Sequence, residues 1–487
     1  MFRRILARLK VAEIAAWRER EEIRRAAITF ACGLVILLLM HIPTLEQTLL
    51  GDLDRNMLDL AFKLRSDVTV GHADPVVFLD LDDRTVAGDP SPARFTTPVP
   101  AATTPRALIA QLLDYVITAP QADAGRVVVL DADIGVPAPG DAGVEQLKDV
   151  LRRWAASPGA PPLIIAREAF PPAAVGASGE VKILPVSEFD PIINAAPNIF
   201  YASVKVNADQ NGVVRDFTPF ECVRTGAQVQ PLFSAALLAY GFLAKGKLPP
   251  HSNAKSWVSQ APGWCARQPQ VGFAHGERID YHFSLEKVGF EQRVWPELPA
   301  DWSSLKPCGD TDRSIFRRLS ASDVIAGGAD ASHAPICGRI VLIGGTNTAQ
   351  GDFRQSPLNE MSGSAILGNA IRGLQMTGGG LRPISTPVQI LVLLLVCIGI
   401  SLTFAASDRA RKHMARMRAR EKRSPLTRLQ LIVLNPVVLN WSLALAAHLT
   451  GVGLLILSLN YGYWGYLSAP ALGAAIMETI QEFADDD

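Results

Sequence analysis

Hydrophobic residues along this chain fall into two patterns. In the first, they run without interruption. The twenty residues between Arg25 and Glu46 contain no Asp, Glu, Lys or Arg and include Leu34-Val-Ile-Leu-Leu-Leu-Met40. A helix rises about 1.5 Å per residue, so twenty residues cover the roughly 30 Å hydrocarbon layer of a bilayer. A second run extends from Pro387 to Ala406, and Leu429–Met477 is a further 49 residues without those four types. That length holds two spans around Asn460-Tyr-Gly-Tyr-Trp-Gly-Tyr466, because Gly breaks helices and Tyr and Trp favour the headgroup level. The pattern predicts four transmembrane helices, over 26–45, 387–406, 434–457 and 462–480.

In the second pattern, between the first and second spans, short apolar runs of strand length alternate with helical periodicities. Strands are expected over Val76–Leu79, Arg126–Leu130, Pro162–Ala166, Gly212–Phe217, Arg278–Phe283 and Arg339–Ile343. Helices are expected over Pro105–Val116, Val144–Ala155, Phe233–Leu243 and Ser364–Gln375. Continuous Val/Ile/Leu runs alternating with helices predict an α/β domain with a mostly parallel sheet covered by helices on both faces. The stretch 246–312, rich in Pro, Gly, Trp and Cys, is expected to be an irregular insertion.

Charge sets the orientation. The 47 basic and 47 acidic residues cancel, which excludes a nucleic-acid binder held by bulk positive charge. Locally they do not cancel. Residues 1–25, an amphipathic basic helix with no cleavage site after the apolar run that follows, carry a net +4, and 407–428 carry +7. Basic flanks stay in the cytoplasm. The expected layout is a cytoplasmic helix 1–25, a periplasmic domain 46–386, a cytoplasmic basic loop 407–433 and a short acidic cytoplasmic tail 481–487. Cys32 and Cys397 fall within spans. The other four, Cys222, Cys265, Cys308 and Cys337, lie in the outer segment, where two disulfides are expected; proximity in sequence favours Cys222–Cys265 and Cys308–Cys337.

Ligands of open α/β sheets bind beyond the carboxyl ends of the strands. Two expected strands end in paired acids, Asp80-Leu-Asp82-Asp83 and Asp131-Ala-Asp133, and Asp352 follows the last strand. With Arg106 and Arg215 these form the candidate ligand-binding set: Asp80, Asp82, Arg106, Asp131, Asp133, Arg215 and Asp352. The competing structural role is helix capping and pairing with Arg84, Arg106 or Arg215. The phosphatase motif DxDx[T/V] of the haloacid-dehalogenase type fails at its fifth position in both places, where Arg84 and Gly135 stand. No catalytic residue, metal ligand or cofactor is assigned.

Taken in order, the motifs resemble the type-two CHASE domain, the cyclase/histidine-kinase-associated sensory extracellular family. The matching stretches are Asp59-Leu-Ala-Phe-Lys-Leu-Arg65, Val76-Val-Phe-Leu-Asp80-Leu-Asp82-Asp-Arg-Thr85, Pro105-Arg106, Val127-Val-Val-Leu-Asp131 and Asn211-Gly-Val-Val-Arg215. Phe316–Ile325, Gly338-Arg-Ile-Val-Leu-Ile-Gly344, Asp352-Phe-Arg-Gln-Ser-Pro357 and Asn369-Ala370 complete the series. Asn211-Gly212 stands where the family usually has Asp-Gly, and no Trp precedes Pro105-Arg106. The resemblance implies a sensor in a bacterial inner membrane, with one span before the outer domain and three after it. Family members often carry a cyclase or kinase domain after the last span. Here the acidic tail is too short for one, so the output is expected to reach a separate cytoplasmic or membrane effector. The expected partners are a small ligand or periplasmic protein, that effector, membrane lipid and, as an open alternative, a second copy in a homodimer, with no nucleic acid. The rival readings are a protein-binding scaffold or assembly factor and, behind it, a periplasmic hydrolase using the Asp cluster.

Overall fold

The computed structural model describes residues 49–65, 74–82, 105–120, 125–135, 143–170, 181–209, 211–249, 252–267, 277–279, 316–327, 333–346 and 353–395, with parts of 24–38 and a few single positions. The chain divides into two compact units, residues 62–381 and residues 1–61 with 382–487.

The first of these units opens with β1 (Val76–Asp80), α1 (Arg106–Ile117), β2 (Val127–Leu130), α2 (Val144–Ala156) and β3 (Leu163–Ala166). β4 (Lys182–Ile183), α3 (Asp190–Ile193), β5 (Ile199–Ala202), β6 (Val206–Ala208) and β7 (Val214–Phe217) follow, then the pair β8 (Phe220–Thr225) and β9 (Gln228–Phe233). Next come α4 (Ala235–Leu243), α5 (Asn253–Arg267), β10 (Glu277–Arg278), β11 (Phe316–Ser320), α6 (Ala321–Gly327) and β12 (Ile340–Gly344). The hairpin β13 (Phe353–Ser356) and β14 (Asn359–Ser362) leads into α7 (Gly363–Met376).

Six of these strands form one parallel sheet in the order β11-β1-β12-β2-β3-β5. β1, β2, β3 and β12 are buried at every residue. That explains their unbroken apolar sequences, since a strand with helices on both sides has no polar face. The connections β1 to β2, β2 to β3, β3 to β5 and β11 to β12 step one way across the sheet, which with right-handed crossovers places their helices on one face. The return from β5 to β11 steps the other way and places α4 on the opposite face. On the first face α2 contributes Leu147, Val150, Leu151 and Trp154, spaced at one helical stripe. They join Leu112, Leu113 and Val324 against Val77, Leu79, Val128 and Leu130. The fully buried Trp154 donates its indole N–H to the Pro161 carbonyl at 2.9 Å. On the opposite face α7 packs on α4 and on β12, while α4 covers β2, β3 and β5. Serine side chains cap both helices: Ser234 accepts from Leu237 N and Ser362 from Ala365 N.

The remaining strands make small satellites, the sheet β4-β8-β9 and the sheet β10-β7-β6. The β8–β9 turn uses Gly226 at φ +60°, and the β6–β7 turn uses Gly212 at φ +76°, where only glycine is free of Cβ strain. A disulfide joins Cys222 of β8 to Cys265 of α5. Cys337 is also disulfide-bonded; its expected partner Cys308 lies outside the described residues.

Two expectations need correction. The stretch 246–312 is not wholly irregular, because α5 crosses it. Ala254, Trp257, Ala261 and Cys265 form its buried stripe; Pro262 and Gly263 disguise that stripe in the sequence. The strand expected over Arg278–Phe283 is described only as Glu277–Arg278.

In the other unit, residues 27–35 and 386–395 are helical. Ile28, Val35 and Leu38 on the first segment, and Val388, Leu391, Leu394, Leu395 and Ile398 on the second, are exposed. Among the described residues no helix is long and apolar enough to cross a membrane, so the four-span expectation finds no support there. The expected spans 434–457 and 462–480 lie almost entirely outside the described residues, and 26–45 and 387–406 do so in part.

Candidate functional site

Parallel strands deliver their carboxyl ends to one edge of the sheet, and the paired acids arrive there together. Asp80, the last residue of β1, has no exposed surface. Its Oδ1 accepts the Thr346 backbone N–H at 2.8 Å, and its Oδ2 accepts the Thr346 hydroxyl at 2.6 Å. Arg318 reaches in from β11. It donates Nε–H to Asp80 Oδ2 and Nη2–H to the Thr346 hydroxyl at 2.7 Å. Burial pushes the Asp80 carboxyl above the usual aspartate range and the Asp82 charge adds to the rise, while Arg318 and Thr346 pull against it.

Asp82 is half-buried. Its Oδ1 accepts from the backbone N–H and hydroxyl of Thr85 at 2.9 and 2.6 Å, and its Oδ2 accepts from Ser320 Oγ at 2.8 Å. Asp131, past the end of β2, accepts from Ser364 Oγ at 2.6 Å. Ser364 is the second residue of α7, so this carboxylate lies at the positive end of a 14-residue helix. Gly344 makes the approach possible: a Cβ there would sit 2.1 Å from Ser364 Oγ.

Asp133 has a different partner. Its Oδ1 accepts from the Gly135 N–H at 2.7 Å and from Arg167 Nη1 at 3.2 Å, and its Oδ2 accepts the Glu168 N–H at 2.9 Å. The Arg167 side chain is fully buried. It lies 5.2 Å over the Tyr201 ring and also donates to the Pro185 carbonyl. The Tyr201 hydroxyl donates in turn to Asp190 at 2.9 Å. Gly135, the residue that breaks the phosphatase motif, has a structural reason. A Cβ at that position would fall 0.9 Å from Arg167 Nη1.

Of the seven candidate residues the structure therefore brings five to this edge. Arg106, the first residue of α1, donates to the Ile134 carbonyl at 3.0 Å and lies 5.7 Å over the Phe189 ring. Arg215 is not at the edge; it pairs with Asp209 in the β6–β7 hairpin. Asp352 lies outside the described residues. Asp80 takes Arg318 and Asp133 takes Arg167, and Arg84 lies outside the described residues. Arg318, Arg167, Thr346, Ser320 and Ser364 were not legible as partners, although the misfit glycine at 135 marked a position that tolerates no side chain. Asp82, Asp131 and Asp133 remain half-buried, so the edge can accept hydrogen bonds from an incoming donor. Among the described residues no group of three or more His, Cys, Asp or Glu is placed to hold a metal ion.

A further charged cluster escaped the sequence reading. Glu221 of β8 accepts from Ser203 Oγ at 2.6 Å and from Lys182 Nζ at 2.5 Å, with Lys205 Nζ at 3.7 Å. Burial raises its carboxyl, but the Lys182 and Ser203 hydrogen bonds and the two lysine charges outweigh that and leave it below the usual glutamate range. A lowered pKa means stability that is present above the unfolded value of about 4.3 and lost as pH falls through the folded value. Glu221→Gln is expected to cost about 1.5–3 kcal/mol at neutral pH. Chemical denaturation at a series of pH values should show that gap closing below about pH 4.3; a gap constant with pH would remove the charge from the account.

No curated protein and no solved structure matches the chain. A model of the CHASE2 domain matches residues 31–403. That match covers well over half of the chain, and the chain belongs to the CHASE2 domain family, a family of extracellular sensory domains.

Proposed function

We infer that this chain is a membrane-anchored sensor whose outer domain, residues 46–386, binds its ligand in the periplasm at the C-terminal edge of the sheet and relays the event to a separate partner. Family membership over residues 31–403 carries the reading. Two further observations support it. The Cys222–Cys265 disulfide suits an oxidising compartment. Exposed Ile28, Val35, Leu38, Val388, Leu391, Leu395 and Ile398 on helical segments at either end of the domain suit contact with lipid. Asp82, Asp131 and Asp133 are the primary ligand contacts, with Asp80 and Arg106 beside them. An acceptor-rich edge of this kind suits a ligand that donates hydrogen bonds, an amine or a polyol. The basic loop 407–433 faces the cytoplasmic partner.

Alkaline phosphatase fused after Asp487 or within 407–428 is expected to be inactive, and fused within the outer domain active. Activity after Asp487 would remove the four-span layout. Asp82→Ala and Asp131→Ala are expected to keep the far-ultraviolet circular dichroism of the outer domain while abolishing retention of the ligand; loss of the spectrum would make these acids structural. A second reading, a scaffold that binds proteins, draws on exposed Phe170, Ile183 and Val186, at 41, 40 and 85 %. Phe170 and Ile183 exchange backbone hydrogen bonds, so they share one patch. Crosslinking in membranes that captures a periplasmic protein through this patch, in cells depleted of small ligands, would favour the scaffold.

A further inference from the structure

The chain leaves the outer domain through three consecutive glycines. Gly378, Gly379 and Gly380 have φ of +67°, +108° and +121°, a backbone that L side chains rarely adopt. Three glycines in a row read as a loose linker, yet their polar groups are held. The Gly379 N–H donates to the Leu374 carbonyl at 2.7 Å and the Gly378 N–H to the Gln375 carbonyl at 3.3 Å, which closes the end of α7. The Gly380 N–H donates to the Thr377 hydroxyl at 2.9 Å. From the start of α5, the Ala254 N–H donates to the Gly379 carbonyl at 3.0 Å and Asn253 Nδ2 to the Leu381 carbonyl at 3.3 Å. Leu381 is buried, and a Cβ on Gly379 would stand 2.7 Å from Ser252 Cβ. The connector is a fixed turn.

It continues a helix that is itself pinned at both ends of the sheet. Ser364, in the first turn of α7, donates to Asp131 at the candidate ligand edge. Roughly 16 Å further along the helix axis, Gln375 Nε2 donates to Asp74 Oδ2 at 2.7 Å and Arg372 Nη1 to the Asp74 carbonyl at 3.1 Å, just ahead of β1.

After Leu381 the chain enters β15 (Arg382–Pro383), which pairs in parallel with β16 (Tyr463–Trp464). Arg382 lies beside Tyr463 and Pro383 beside Trp464. Both strands belong to the unit formed by 1–61 and 382–487. Parallel partners cannot be joined by a tight turn; here the connecting chain runs through the hydrophobic stretches 387–406 and 434–457. An odd number of crossings between Pro383 and Tyr463 would leave the two strands on opposite sides of a roughly 30 Å hydrocarbon layer. Two crossings return Tyr463 to the side of Arg382, the periplasmic side in the four-span layout.

We propose that β15 and β16 form a clasp at the periplasmic surface of the membrane. Through it the exit of the domain holds the start of the last hydrophobic stretch, so that a displacement of α7 is delivered to the last two stretches as well as to the one that follows Pro383. The clasp rests on the membrane-anchored reading above and adds which spans move with the domain.

Disulfide trapping in cell membranes tests it. The full chain carries Arg382→Cys and Tyr463→Cys, with Cys32→Ala, Cys397→Ala and a protease site placed within 407–428. After mild oxidation and cleavage, the two fragments are expected to stay joined until a reductant is added. With Arg382→Cys and Asp487→Cys they are expected to part. Fragments that part in the first pair, or stay joined in both, overturn the clasp. A dimer-sized band before cleavage does so too, because it would put the pairing between two copies. Gly379→Ala is expected to slow trapping by about tenfold, since its side chain forces an unfavourable left-handed backbone. Thr377→Val, which removes the hydroxyl that holds Gly380, is expected to slow it by about fivefold, and decides the matter if Gly379→Ala does not fold. An unchanged rate overturns the fixed connector. Single cysteines at Ser385→Cys and Asn460→Cys separate the two kinds of failure. If an impermeant maleimide labels both on intact spheroplasts while 382 and 463 do not trap, the clasp fails and the layout stands. If Asn460→Cys is labelled only after lysis, the layout fails and takes the clasp with it.

Discussion

Gly135→Val is expected to destabilise the outer domain by about 3–5 kcal/mol, the usual cost of breaking a buried ion pair from one side. The new Cβ would occupy the place of Arg167 Nη1. A surface arginine would swing away at little cost. Arg167 cannot, because its side chain is fully buried between Asp133, the Pro185 carbonyl and the Tyr201 ring. Displacing it leaves Asp133 without its cation and strands a guanidinium in the interior. Urea denaturation of the purified outer domain measures the effect, and a midpoint close to that of the native protein would refute the account. A double variant, Gly135→Val with Arg167→Ala, adds a sharper check. If collision is the cause, the two changes are expected to be strongly non-additive.

Removing the Cys222–Cys265 disulfide is the other large effect. The bond closes a loop of 43 residues of sequence separation. The chain-entropy relation for a loop of that length gives about 4 kcal/mol. Both cysteines are buried, so alanine is the appropriate replacement. The single variants Cys222→Ala and Cys265→Ala are expected to lose nearly as much as the double variant, since either one breaks the bond. The native domain should fall to the same level in a thiol reductant. If the doubly substituted domain unfolds at the same denaturant concentration as the native one, the bond contributes nothing to stability. The loss should be felt first in α5, which is tied to β8 through this bond and otherwise packs on β9 and β8.

The parts of the fold that could be read from sequence are those whose environment is uniform. β1, β2, β3 and β12 are buried on both faces, and so they appear as runs such as Val127-Val-Val-Leu130. α2 declares itself through Leu147, Val150, Leu151 and Trp154. By contrast, β11 is an edge strand, Phe316-Arg-Arg-Leu-Ser320, whose two arginines are half-exposed, and no apolar run marks it. β8 and β9 share too little of the main core to be patterned by it, and Pro262 hid α5. The site divides the same way. The acids were visible because strand ends and their following residues are local in sequence. Their partners were not, because Arg318 and Ser364 lie more than 230 residues from Asp80 and Asp131. Pairing at that range is decided by topology.

The position of β1 in the sheet governs the order in which the domain can be assembled. Val76 lies beside Phe316 on one side and Ile340 on the other, so both neighbours of the earliest described strand are supplied by the last third of the unit spanning 62–381. A strand of sequence Val-Val-Phe-Leu-Asp with two unsatisfied edges is a template for wrong pairings. It must remain so through synthesis of everything between Asp80 and Phe316. High sequence separation of this kind slows folding and prolongs exposure to aggregation. The domain is therefore expected to depend on holding factors while it is being made, and a chain truncated before Ile340 to be insoluble rather than partly folded.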